Sequence, residues 1–166
     1  MIAGLSTFAW VHTLLSLVAL VSGLVVVVGL FTSRTPNGWT GLYLASAIVT
    51  SLTGFGFPFD RFEASHWSGV VSLALLLAAV LARYVFHLAG AARWIYAAGS
   101  VLGLYFLVFI GIAQLFKKVP ALKAMAPTLS EPPFAVSALA ATALFVVLAI
   151  AAAVKFRPPA AVGTHG

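Results

Sequence analysis

The stretch VHTLLSLVALVSGLVVVVGLF, residues 11–31, decides the fold. It carries no charge, shows no alternation of apolar and polar positions, and is long enough to cross a hydrocarbon core ~30 Å thick as a helix. Hydrocarbon offers no partner to a backbone N–H or C=O, so a spanning segment is a helix or a strand of a closed barrel. Without a period-two pattern the helix remains. No basic side chain precedes the stretch and no small-residue cleavage site is evident behind it, so it reads as a first span and not as a cleaved signal peptide.

Outward from this run, the chain is punctuated by turn residues. Pro36 and Asn37-Gly38 end the first helix, Gly54-Phe55-Gly56-Phe57-Pro58 closes a second, Ser65 is placed to cap a third, and Ala89-Gly90 leaves only a tight turn before a fourth. In the connection 117–133, Pro120, Pro127, Pro132 and Pro133 forbid one continuous helix, while Val119, Leu122, Met125 and Ala126 suit the apolar side of a short interfacial turn. The predicted spans are 8–31, 39–57, 66–88, 92–116 and 134–154. The fold is therefore expected to be all-α: a polytopic membrane protein, a compact bundle of five transmembrane helices in one domain over 1–157. Residues 158–166, opening on Pro158-Pro159, are expected to form a disordered tail.

Composition agrees with burial in lipid. Of 166 residues, 63% are hydrophobic and 7% charged, with a mean hydropathy of +1.13, too little polar surface for a soluble globule. The net charge of +6 would suggest nucleic acid in a soluble protein, but the nine Lys and Arg residues lie scattered in short connections with no basic stripe. They read as topology determinants beside anionic lipid, so the bilayer and not nucleic acid is the expected partner. The absence of cysteine removes disulfides, thiolate metal sites, iron–sulfur clusters and thiol nucleophiles together.

The five spans sort the cations into Arg34, Arg83, Arg93, Lys155 and Arg157 on one side and Arg61, Lys117, Lys118 and Lys123 on the other. The positive-inside rule then places the amino terminus outside and the carboxyl terminus in the cytoplasm. Within the spans, His12, Ser16, Ala19 and Gly23 share a stripe, as do Tyr96, Ser100, Gly103, Gly111 and Gln114. Ser46, Thr50 and Gly54 form a third line. Small residues permit close backbone approach and hydroxyls bond across helices, so packing alone accounts for these stripes.

All three carboxylates, Asp60, Glu63 and Glu131, fall at the outer face with His12, His66 and Gln114. Three chemistries are open to that group. If the first and third helices are neighbours, His12 and His66 can supply two axial ligands to a haem b, with Asp60, Glu63 or Gln114 accepting an imidazole N–H. Asp60, Glu63 and His66, at offsets of three, can instead hold a divalent metal, although no metal motif is present. A quinone headgroup pocket is the third, with His and Gln donating to carbonyl oxygens between apolar walls. Interfacial polar residues also occur without any ligand. On the opposite face, Arg83 and His87, four residues apart and near Arg93, form a cationic group that binds lipid phosphate or anchors the helix by snorkelling.

The segments Thr53-Gly54-Phe55-Gly56-Phe57-Pro58-Phe59, Ala82-Arg83-Tyr84, Lys118-Val119-Pro120-Ala121-Leu122 and Ser130-Glu131-Pro132-Pro133-Phe134 resemble an uncharacterised family of small bacterial inner-membrane proteins. The resemblance implies a bacterial membrane protein of this architecture and supplies no activity. The expectation is a binding or accessory component rather than a self-sufficient enzyme, holding haem or quinone near His12 and His66. The alternatives are a structural or assembly subunit facing a membrane-protein partner or a second copy, and a small transporter, which the lack of mid-span charge disfavours.

Overall fold

The structure, a computed structural model, describes residues 6–34, 36–57 and 64–157. Among them every regular element is helical: α1 (Thr7–Phe31), α2 (Asn37–Gly54), α3 (Ala64–Val80) continued by a π-helical turn (Leu81–Val85), α4 (Ala92–Lys118), the short α5 (Pro120–Met125) and α6 (Pro132–Lys155). Four segments are long and apolar enough to cross a membrane: Thr7–Phe31, His66–Val85, Ala92–Lys118 and Pro132–Lys155. They define a membrane-embedded helical bundle. Helix α2, rich in hydroxyls, is not one of the four.

Local chemistry sets the helix ends. The Ser6 hydroxyl accepts from the Ala9 amide and starts α1. At its far end Ser33 turns left-handed (φ 53°) and the Arg34 amide returns to the Gly29 carbonyl at 2.8 Å. A side chain at Gly29 would sit 2.8 Å from the Arg34 carbonyl oxygen, so this closure needs glycine. Pro120 opens α5 and Pro132 opens α6, positions where the missing N–H costs nothing. Ser65 falls inside α3 and not ahead of it.

Helices α1 to α4 form a ring in chain order, with α4 closing back on α1, and α6 lies outside against α4 and, less, α1. Partners along the chain fix the antiparallel sense: His12 with Thr53, Tyr105 with Thr142, Phe116 with Phe134, and Tyr96 with Phe156. One end of the bundle thus carries His12 and His66 and the other Arg83. On α1 the buried positions are Ala19, Ser22, Gly23, Val26, Val27, Gly29 and Leu30, whereas Leu14, Leu17, Val21, Leu24 and Val28 point outward. Ala19, Ser22, Gly23 and Gly29 thus lie on the inward face of this helix and its outward face from Val11 to Val28 is apolar, the arrangement suited to lipid.

Tyr43 is the keystone of the core. Fully buried, it donates to the Ser100 carbonyl at 2.7 Å, and Gly23 and Gly103 pack against its ring and hydroxyl from α1 and α4. The core occupies the arginine half. On α4, Tyr96, Ser100 and Gly103 are buried, while Gly111 and Gln114, further along the same face, are exposed. The bundle therefore closes at one end and splays at the other.

Candidate functional site

The splayed end holds His12 in the second turn of α1, facing the end of α2. Its Nδ1 lies 2.9 Å from Thr53 Oγ1, and its ring meets that of Phe57 edge-on at 5.0 Å. While the Thr53 hydroxyl donates to the Val49 carbonyl at 2.8 Å, its lone pair can accept the His12 Nδ1–H. In that tautomer the free lone pair is on Nε2. Phe8 packs against Phe57 at 5.0 Å and extends the aromatic wall.

His66 is placed differently. It is 8% exposed in the first turn of α3 and packs at 5.8 Å from Phe55, whose ring lies 3.2 Å from where a side chain at Gly69 would begin. Helix α2 packs against both α1 and α3, which share no substantial interface with each other. The two imidazoles thus face different rings at the end of α2, Phe57 beside His12 and Phe55 beside His66. Gln114 is exposed on α4 one turn before Lys118. Asp60 and Glu63 lie outside the described residues, and His165 does as well. Among the described residues, no three His, Asp or Glu side chains cluster as metal ligands would.

Glu131 stands apart in the turn ahead of α6. Its carboxylate accepts from the Thr128 hydroxyl at 2.8 Å, the Thr128 amide at 3.2 Å and the Ser130 amide at 3.1 Å. Desolvation works against ionisation here, but these hydrogen bonds together outweigh it and hold the carboxyl below its ordinary value. A depressed carboxyl stabilises the turn above the unfolded pKa and loses that contribution as pH falls through the folded one. Hydrogen exchange at the Thr128 and Ser130 amides is expected to accelerate, relative to the intrinsic rate, as acid protonates Glu131. Glu131→Gln should abolish this pH dependence.

The closed end holds the other predicted group. Arg83, 8% exposed, ends the buried stripe Ser72, Leu76, Ala79 on α3. Its Nη2 donates to Asn37 Oδ1 at 2.6 Å, and its guanidinium lies 5.3 Å from the Tyr96 ring and 5.6 Å from that of Tyr84. Asn37, Arg83, Tyr84, His87 and Leu88 line an open cleft of about 260 Å³. Arg93 is not in its wall, its guanidinium resting over Trp94 at 5.2 Å. Asn37 and Thr53 escape a sequence reading because each also fits a bland role as turn or helix-face residue. No protein-family model, curated protein or solved structure matches this chain.

Proposed function

We propose that the chain is a five-span integral membrane protein of the binding or accessory kind, whose ligand is the ring headgroup of a quinone-class amphiphile at the histidine end. The fifth span is α2. Its Thr40, Tyr43 and Ala47 are enclosed by neighbouring helices, and Ser46 and Thr53 donate to carbonyls of their own helix, which lowers the cost of its polarity in lipid. The bacterial inner membrane, with the amino terminus outside, is the setting suggested by the cation distribution and the family resemblance.

The observation that carries the ligand reading is the contact of His12 Nδ1 with the Thr53 hydroxyl at the splayed mouth. With Nδ1–H given to Thr53, the Nε2 lone pair is an acceptor for a quinol hydroxyl, and Phe8 and Phe57 form an apolar wall. The same tautomer would suit His12 as one haem ligand, with His66, beside Phe55, as the candidate for the other.

Titration of the purified protein with a short-chain quinol, followed by tryptophan fluorescence, is expected to saturate. His12→Ala should weaken binding at least tenfold, or by about 1.4 kcal/mol. A Soret band lost in His12→Ala would transfer the site to haem, and unsaturable quenching equal in both proteins would sink the ligand reading. A second reading, a structural or assembly subunit, draws on α6, where only Phe145, Ala149 and Ala152 are buried while Val136, Leu139, Val147 and Ile150 face outward. The same preparation would then yield a stoichiometric membrane-protein companion or a dimer, without quinol binding.

A further inference from the structure

The cleft at the closed end is a separate feature, and its argument does not rest on His12. Burying a guanidinium is costly unless an anion compensates it. Arg83 is almost wholly enclosed, yet its partners are the neutral Asn37 amide and two tyrosine rings. The single carboxylate among the described residues, Glu131, is engaged by its own turn at the opposite end. A positive charge without a carboxylate partner among the described residues thus stands at the edge of an open cleft. A snorkelling arginine would carry its head out to water, whereas this one is drawn inward and clamped.

The backbone is shaped to leave that cleft. The last turn of α3 widens into a π turn, with the Phe86 amide bonded to the Leu81 carbonyl at 2.9 Å, and the chain then passes through His87 (φ 47°) and Leu88 (φ 60°). Two successive side-chain-bearing residues in the left-handed region are strained. An uninterrupted helix would avoid that strain, but it would not bring His87 and Leu88 around into the wall beside Arg83 and Asn37. Single π turns recur at functional sites for this reason.

We infer that Arg83, with His87, Tyr84 and Asn37 around it, forms a binding site for a phosphate group at the membrane interface. The planar guanidinium matches phosphate oxygens, and the imidazole and the Tyr84 hydroxyl add donors of the right kind. Height in the membrane agrees: the exposed indoles of Trp39 and Trp94 stand at the same end of the bundle, the level at which lipid phosphates lie. The phosphate belongs either to a lipid headgroup or to a free phosphate. Arg93, stacked on Trp94, is outside the site despite lying near it in sequence.

The test is native mass spectrometry of the full chain released from micelles containing phosphatidic acid, or diacylglycerol with the same acyl chains. One phosphatidic acid per chain is expected to be retained, with diacylglycerol lost. Arg83→Lys, which keeps the charge but not the planar fork, and His87→Asn, exposed and tolerant of a left-handed backbone, should each weaken retention at least tenfold. Arg93→Gln should change it less than twofold. Equal loss in Arg93→Gln and Arg83→Lys would mean diffuse surface charge and overturn the site, as would diacylglycerol held as strongly as phosphatidic acid. Displacement of bound lipid by millimolar inorganic phosphate supports the site and assigns it to free phosphate. Retention of the lipid under that challenge supports it as a headgroup site.

Discussion

Truncation of Tyr43 to alanine is expected to cost the bundle about 3 kcal/mol, the low end of what aromatic truncations cost in water-soluble cores, because in a bilayer the packing share of the loss persists while the transfer share shrinks. The ring fills the space where α1, α2 and α4 meet, and an alanine side chain at Gly23 would begin 2.8 Å from it. Gly23→Ala alone should therefore overpack the core by roughly 1–3 kcal/mol. Together the two changes should cost clearly less than their sum, since the added methyl enters the space the ring vacates. Equilibrium unfolding in mixed micelles gives the four values, and strict additivity would refute the clamp.

Gly99→Val is expected to part α3 from α4, with a loss of about 3 kcal/mol. A Cβ at Gly99 would lie 3.0 Å from the Leu75 carbonyl oxygen, and a backbone oxygen within a helix has nowhere to retreat. The effect should reach the arginine end, because Arg83 hangs from the last turn of α3 and faces Tyr96 of α4. Gly111→Ala is the contrast. Nothing lies within 4 Å of where its Cβ would stand, so helix propensity should make the change neutral or stabilising by up to ~1 kcal/mol. Equal damage from both substitutions, measured by thermal unfolding in detergent, would show that the close approach at Gly99 does not hold the helices together.

Helix positions were legible in the sequence because apolar length and turn residues act locally. The Pro36 and Asn37-Gly38 break, the proline-rich connection and the run 11–31 each need only their neighbours to be read. The sites were less legible, because their geometry arises between helices. His12 and His66 look equivalent as interfacial histidines, and only the packing order around the ring sets Phe57 against one and Phe55 against the other. Arg83 and His87, spaced as helix neighbours, reach a common cleft through a π turn and a left-handed corner, for which residues 81–88 carry no glycine or proline signal. Gly111 and Gln114 continue the stripe of Tyr96 and Ser100, and periodicity alone does not reveal where the bundle opens.

The inward-facing hydroxyls of α2 also bear on how the protein is made. On the five-span reading, this helix has too little apolar surface of its own to partition from the translocon into lipid unaided. Its most extensive packing is with α1, and Tyr43 meets Gly23 across that contact. The unit of insertion during biogenesis is then the α1–α2 hairpin, with the second helix retained by the first until α3 and α4 enclose it.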